Sequence, residues 1–321
     1  MKGLLKNSLR PVFRVLQVLI LAVIFYFLGK NLVDLDWHHF FASLKEASVG
    51  LLFLSLLLTV AGGLLVALGW GMILRALGQK VPQPAVLKIY YLSELAKYVP
   101  GKIWTAIGRV VMLEKRDVPR MITLTSVGVM LIVLAVSGLL VSLIALPFWP
   151  SLESAGEYQT GLLLLLLLPI GLILLHPRIF DPVVNWFLRR VEHVEFRVEL
   201  RYRYILLLVL FWCGLWLLKG TATYLLLTII PDSIIDPSLF PRFPWLVFSG
   251  IMAVSWIVGT VSPFTPAGLG IAELSIVVLL ESLFSIPAGY ATLFAVFVRI
   301  WNVIAELICV AITFRMGRDG N

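Results

Sequence analysis

Long runs of apolar residues separated by short polar stretches make up most of this 321-residue chain. Several runs approach the roughly 20 residues that a helix needs to cross the hydrocarbon core of a bilayer. No run alternates apolar and polar positions as a lipid-facing barrel strand does, so helices are predicted to satisfy the backbone hydrogen bonds. We therefore predict an all-α polytopic membrane protein, one domain over residues 1–321. The eight predicted spans lie near residues 12–29, 49–74, 121–146, 160–176, 204–229, 245–262, 271–284 and 289–314.

Composition supports a membrane protein, because 60% of the residues are hydrophobic and only 14% are charged. A soluble domain typically carries about a quarter charged residues. The first apolar run follows several basic residues, as in a signal peptide, but no small-residue cleavage site comes after it. We therefore expect an uncleaved first span.

Basic residues are unevenly distributed between the predicted loops. The N-terminal segment and the segments 75–120 and 177–203 are rich in lysine and arginine, whereas residues 147–159 contain neither. Because cytoplasmic loops carry the excess of basic residues, both termini are predicted to be cytoplasmic, in the cell (inner) membrane. Residues 178–203 are predicted to form an interfacial helix, with a solvated loop helix as the alternative.

A first break interrupts the helical pattern at residues 93–109, around Pro100 and Gly101. Proline removes a backbone donor and glycine permits a sharp reversal, so two short helices meeting at a turn are expected. The second helix would begin near Lys102, and its free N–H groups would favour an anion such as a phosphate. The alternative is an amphipathic hairpin on the membrane surface. The candidate residues for binding a lipid phosphate are Lys97, Pro100, Gly101, Lys102 and Arg109.

A second break, at residues 262–273, contains two prolines and two glycines and separates the runs 245–262 and 271–284. Glu273 falls in the first turn of the helix that follows. Its carboxylate either caps that helix or serves as a proton or cation carrier or a polar gate.

The run 271–284 has only 14 residues, which is short for a full span. The distribution of basic residues fits eight full spans, and it fits six spans plus two re-entrant hairpins equally well. We favour the re-entrant arrangement, in which the two breaks face each other near the midplane. Broken helices in corresponding positions of two halves are typical of a transporter binding site.

Several polar side chains fall inside the apolar runs. Arg299, Asn302 and Glu306 are spaced by three and four residues, so they share one helix face that must point into the protein. A charge at the centre of a membrane helix costs at least about 2.5 kcal/mol, which favours a functional interpretation. The alternative is a structural pair, either Arg299–Glu306 or Lys219–Glu273. The candidate residues for a polar track or a coupling site are Glu94, Lys219, Thr265, Gly268, Gly270, Glu273, Arg299, Asn302 and Glu306.

Over both sets of candidate residues, five basic residues outnumber three acidic residues, which suits an anionic headgroup better than a metal cation. The two cysteines lie in apolar runs, and the adjacent histidines, His38 and His39, have no carboxylate–histidine motif around them. A P-loop, an HExxH motif and a GxSxG motif are all absent from the sequence. We therefore predict no catalytic residue, no cofactor, no metal site and no nucleic-acid partner.

The two breaks also resemble a known family, the lysylphosphatidylglycerol synthase transmembrane region, or flippase-like domain family. The resemblance rests on K-Y-V-P-G-K at residues 97–102 with Gly108 and Arg109, and on P-F-T-P-A-G-L-G-I-A-E at residues 263–273. Ala267 replaces a glycine that the family often has at that turn. The likeness in size and in the placement of the breaks extends over nearly the whole chain.

This resemblance implies a membrane protein that binds or moves an anionic lipid, either aminoacylated phosphatidylglycerol or a polyprenyl-phosphate-linked glycan. Family members with synthase activity carry an additional soluble domain, so we expect translocation or binding here rather than lipid synthesis. Two alternatives remain open at this point. One is a membrane enzyme with Glu94 or Glu273 as its base, and the other is a non-catalytic partner of an envelope-biogenesis synthase.

Overall fold

The computed structural model describes residues 22–24, 26–33, 35–98, 103–150, 202–262, 265 and 268–316. Throughout these residues the chain forms α-helices joined by 3-10 turns and loops. The helices, in chain order, are α1 (Ala22–Val33), α2 (Trp37–Glu46), α3 (Val49–Ala76), α4 (Gln83–Glu94), α5 (Trp104–Glu114), α6 (Arg120–Ala145), α7 (Tyr202–Leu225), α8 (Pro244–Val261), α9 (Ile271–Phe284) and α10 (Ala288–Met316).

Five helical stretches within the described residues are long and apolar enough to cross a membrane: Val49–Ala76, Arg120–Phe148, Tyr202–Ile229, Pro244–Val261 and Ala288–Arg315. Each agrees with a predicted span to within two residues at both ends. The prediction of an all-α polytopic membrane protein is therefore confirmed.

The remaining predicted segments have different outcomes. Helix α9 has the predicted bounds, while the described part of the first span, α1, continues to Val33, beyond the predicted end at residue 29. The predicted span at 160–176 lies outside the described residues. So does the predicted interfacial helix at 178–203, except that residues 202 and 203 already belong to α7.

Helix boundaries follow ordinary capping chemistry. The Ser48 hydroxyl accepts a hydrogen bond from the Leu51 N–H at 3.4 Å and so caps the start of α3. Pro244 is the first residue of α8, a position at which proline loses no helical hydrogen bond. Ser285, with a φ of 53°, ends α9 in the left-handed conformation, and α10 begins soon afterwards.

Contacts between helix termini define one end of the bundle, which we call the first end. Here the end of α1 meets the start of α10, because the Asn31 side-chain amide donates to the Thr292 hydroxyl at 3.0 Å. The start of α3 meets the segment after α7, because the Ser48 N–H donates to the Thr228 hydroxyl at 3.1 Å.

The opposite termini meet at what we call the second end. The Tyr204 hydroxyl, near the start of α7, donates to the Met72 carbonyl near the end of α3 at 2.8 Å. The Lys88 ammonium lies 5.3 Å from the centroid of the Phe314 ring, which joins α4 to the end of α10. Helices α3, α7 and α10 therefore run the full distance between the two ends.

Two shorter helix pairs form hairpins that open at opposite ends. Helices α4 and α5 pack against each other and open at the second end, where Arg75 donates to the Gln83 side chain at 2.8 Å. Helices α8 and α9 pack against each other and open at the first end, where Phe148 and Phe243 meet at a centroid distance of 5.4 Å. In each hairpin the two helices are joined through the segment that contains a break, and the hairpins open at opposite ends of the bundle.

Buried apolar side chains form two clusters, one toward each end. The first-end cluster includes Phe248 and Phe294, and the second-end cluster includes Trp70 and Trp212. The layer between the two clusters contains the buried polar residues described below.

Gly220 of α7 permits the close approach of α8, because a Cβ at this position would overlap Ser249. We predict that Gly220→Ala lowers the free energy of unfolding by about 1–3 kcal/mol, the usual cost of overpacking. Thermal unfolding in detergent measures this loss. Gly214→Ala is the matched control on the same helix, since a Cβ at that position would meet no atom within 4 Å. It should keep or raise stability by up to about 1 kcal/mol, and equal loss in both variants would contradict the packing argument.

Candidate functional site

The first hairpin brings together the polar residues on both sides of the first break. Helix α4 ends at Glu94, a 3-10 turn follows at Leu95–Tyr98, and α5 begins at Trp104, two residues later than predicted. A Cβ at Gly108 would lie 3.2 Å from the Ser93 Cβ, so the absence of a side chain lets the two helices pack closely. Pro100, Gly101 and Lys102, three of the expected phosphate-binding residues, lie outside the described residues.

Arg109 is enclosed by protein, with only 1% of its surface exposed. Its guanidinium lies 4.4 Å from the centroid of the Tyr90 ring and 4.8 Å from that of Trp70. It donates to the Glu94 carboxylate at 2.9 Å and to the Ser93 hydroxyl at 3.3 Å. The expectation that Arg109 holds a lipid phosphate does not match this geometry. The guanidinium instead fixes the position of Glu94.

A chain of charges connects the first hairpin to α10. The Lys97 ammonium lies 3.6 Å from one oxygen of Glu94 and 3.0 Å from an oxygen of Glu306. The side chain of Glu306 is 10% exposed, so this ion pair is largely shielded from solvent. Lys97 therefore bridges a carboxylate on its own hairpin to one on α10.

The second hairpin is connected to α10 in a parallel way. One Glu273 oxygen accepts the Gly270 N–H at 2.6 Å, and the other lies 3.3 Å from a guanidinium nitrogen of Arg299. Glu273 is 7% exposed. Its carboxylate caps α9, which was one of the two interpretations left open by the sequence, and it also forms an ion pair across helices.

Gly268 and Gly270 act through the backbone. Both have positive φ angles, 67° and 83°, that disfavour any residue with a Cβ. A Cβ at Gly268 would lie 2.9 Å from the Gly259 Cα, and one at Gly270 would lie 2.6 Å from a methyl carbon of Ile24. The second tip is therefore packed against both α8 and α1. Thr265, another expected site residue, is buried, and its hydroxyl has no hydrogen-bond partner in the described part of the chain.

The polar face of α10 receives both hairpin tips. Arg299, Asn302 and Glu306 share this face as predicted, and Asn302 is the central residue of Ala288–Met316. Arg299 and Glu306 are two turns apart, which corresponds to a rise of about 10 Å. Because the hairpins open at opposite ends, their tips reach the middle of α10 from opposite directions.

The same face separates the two apolar clusters. Along α10, Val298 belongs to the first-end cluster and Cys309 to the second-end cluster, and the three polar residues lie between them. Asn302 uses its side-chain amide to donate to the Val298 carbonyl at 2.7 Å. A polar layer therefore crosses the bundle between two apolar layers.

The observed ion pairs differ from the two structural pairs that the sequence suggested, Arg299–Glu306 and Lys219–Glu273. Arg299 pairs with Glu273 and not with Glu306, since two turns along one helix are too long for a direct contact. Lys219 does not pair with Glu273. No carboxylate of the described residues forms a salt bridge with Lys219, whose ammonium lies 5.6 Å from the centroid of the Trp216 ring.

These charged groups, together with Asn302, form what we call the central polar network. Its four cations exceed its three carboxylates by one positive charge. The members of the central polar network are Glu94, Lys97, Arg109, Lys219, Glu273, Arg299, Asn302 and Glu306.

Two aromatic residues that belong to the site, Trp70 and Tyr90, were not predicted from the sequence. Helices α3 and α4 each contain another aromatic residue, and no local pattern distinguishes the pair that encloses Arg109.

Within the described residues, no group of three or more metal-ligating side chains occurs. Both cysteines are free, and each thiol lies near a backbone carbonyl of a neighbouring helix, that of Ser137 or Val60.

The structure defines a class of protein, the polytopic helical membrane proteins with a central polar site. The defining features are the apolar spans, the two hairpins of broken helices and the buried polar layer. The family model described as the lysylphosphatidylglycerol synthase TM region matches residues 14–309, nearly the whole chain. The chain belongs to that family, and the resemblance identified at the two breaks is confirmed. Among curated proteins, none matches the chain.

Replacing Arg109 tests its structural role. We predict that Arg109→Met lowers the free energy of unfolding by about 1.5–3 kcal/mol, because it removes the closer of the two cations that pair with the Glu94 carboxylate. Thermal unfolding of the purified protein in detergent measures the loss.

Arg120→Met is the matched control, since Arg120 is exposed at the start of α6. This control should change stability by less than about 0.5 kcal/mol. A stable Arg109→Met variant that loses only ligand binding would show that the guanidinium serves a ligand and not the fold.

Proposed function

We propose that this protein binds an anionic lipid and moves its headgroup across the membrane along the polar face of α10. The observation that carries the proposal is the central polar network, in which both hairpin tips meet one helix face between two apolar clusters. Charges at this depth are costly, and in membrane proteins they mark ion and substrate pathways. The surplus of one cation favours a substrate that carries a negatively charged phosphate.

The direction of the hairpins supports a path with access from both sides. The second end of the bundle carries basic residues of several helices and turns, namely Arg75, Lys80, Lys88, Lys115, Arg116, Arg120, Arg203 and Arg315. By the positive-inside rule, this end faces the cytoplasm in our proposal. The first hairpin would then be re-entrant from the cytoplasmic side and the second from the outer side, and α10 would end in the cytoplasm.

Two ion pairs are suited to act as gates on this path. Lys97–Glu306 joins the first tip to α10, and Arg299–Glu273 joins the second tip to it about two turns away. Opening one pair while the other stays closed would expose the middle of α10 to one side at a time. The headgroup would move along the polar face while the acyl chains stay in the bilayer.

Family membership supplies the candidate substrates, which are aminoacylated phosphatidylglycerol and polyprenyl-phosphate-linked glycans. Lipid synthesis is not part of the proposal. Glu94 and Glu273, the carboxylates considered as bases, are both engaged by cations, and Glu273 also accepts the Gly270 N–H. A role alongside an envelope-biogenesis synthase is compatible with lipid transport and needs no separate site.

A lipid transport assay in proteoliposomes tests the proposal. Vesicles containing the protein should move fluorescent anionic phospholipids between leaflets faster than empty vesicles do. Absence of transport above empty vesicles, with several anionic headgroups tried, would contradict the proposed function.

In the same assay we predict that Glu306→Gln slows transport by about tenfold, because it removes the charge that holds Lys97 at the first tip. Glu281→Gln is the matched control, since Glu281 is exposed near the end of α9. The control should transport lipid at the rate of the unmodified protein. Equal rates for the two variants would exclude the first gate.

A further inference from the structure

Lys219 differs from every other cation of the central polar network. Arg109, Lys97 and Arg299 each have a carboxylate within 4.0 Å, whereas Lys219 has none in the described part of the chain. Lys219 lies in the second half of α7, a helix that spans the bundle, and so cannot extend its ammonium to either end. The ammonium lies instead against the aromatic ring of Trp216.

The surroundings of the Lys219 ammonium are electropositive. Two other cations of the network, Lys97 and Arg299, disfavour its charged form electrostatically. Lys97 and Arg299 have carboxylate partners and Lys219 has none in the described residues, so the charge of Lys219 is the one that a bound anion would offset.

A second, independent observation points to the same place. One guanidinium nitrogen of Arg299 pairs with Glu273, but the other, Nη2, is buried and has no hydrogen-bond partner in the described residues. A buried charged donor without a partner is rare in folded proteins and calls for an acceptor. Lys219, which forms no salt bridge in the described residues, and Arg299, which has a buried donor to spare, are therefore two cations on different helices that one negatively charged group could neutralise.

The charge balance further restricts the ligand. One negative charge would neutralise the surplus of the central polar network. A phosphate diester carries one charge at neutral pH, whereas a phosphate monoester carries about −1.5 to −2. A diester thus fits the balance better than a monoester or a free phosphate ion.

We propose that the Lys219 ammonium and the Arg299 Nη2 together bind the phosphate diester of the lipid headgroup midway along its path. This inference rests on the proposed function and deepens it. It assigns the phosphate to α7 and α10, and not to Lys97 and Arg109 at the first break, which are engaged by Glu94 and Glu306. The same chemistry would hold a lipid headgroup or free phosphate, and the experiment separates the two.

Binding of phosphatidylglycerol to the full chain in phosphatidylcholine nanodiscs tests this site, with native mass spectrometry as the readout. We expect the unmodified protein to prefer phosphatidylglycerol to phosphatidylcholine, and Lys219→Met to bind phosphatidylglycerol about tenfold more weakly. Phosphatidic acid, a monoester, should bind more weakly than phosphatidylglycerol to the unmodified protein. Inorganic phosphate at the concentrations that saturate lipid binding should not displace the lipid.

Lys88→Met is the matched control, since Lys88 also lies over an aromatic ring, that of Phe314, but at the second end of the bundle. It should bind phosphatidylglycerol as the unmodified protein does. Lys219→Met should keep or gain thermal stability, because it removes an unpaired charge, whereas a purely structural lysine would lose stability on the same change.

The possible failures are distinguishable. If the unmodified protein shows no preference for anionic lipid, both this inference and the proposed function are wrong. If that preference exists and survives in Lys219→Met, only the assignment to Lys219 is wrong. Displacement by inorganic phosphate, or tighter binding of phosphatidic acid, would overturn the assignment to a lipid diester.

Discussion

Placing charged side chains in the apolar middle of a helical bundle is costly, and this constraint determines how the two hairpins and α10 are arranged. Every carboxylate of the central polar network has a cationic partner on another helix or hairpin segment. Glu306 and Arg299 therefore require the first and second tips to reach α10. Helices α4 and α8 end, ahead of the breaks in the sequence, at the depth where those partners lie, and the glycines at positive φ allow the second tip to turn there.

The same pairing explains why irregular backbone is tolerated at these positions. Unpaired backbone groups are not stable against lipid, so broken helices occur only where protein or a polar cavity surrounds them. Helix α1 covers the second tip at Gly270, and Glu273 accepts the N–H at that helix start. The described part of the second tip is therefore covered by protein.

The sequence predicted the helices well because their signals are local: long apolar runs, prolines at helix starts and glycines at the breaks. It also predicted the shared face of Arg299, Asn302 and Glu306, since helical spacing alone determines it. The ion-pair partners were not predictable in this way, because they depend on how deep each hairpin tip reaches. Arg109 is the clearest example, since its enclosure by Trp70 and Tyr90 depends on the packing of α3 against α4.

The central claim is that the middle of α10 lies on a hydrated path that is open to both sides in turn. Labelling of Asn302→Cys with a membrane-impermeant thiol reagent tests it most directly, in a variant whose free cysteines, Cys213 and Cys309, are replaced by alanine. Ile304→Cys is the reference, since Ile304 is 37% exposed on the outer, apolar side of α10. We predict faster labelling at position 302 than at position 304 from either side of the membrane, and slower labelling at 302 when anionic lipid is added. If labelling at position 302 is no faster than at position 304 from one side or from both, a path open to both sides is contradicted.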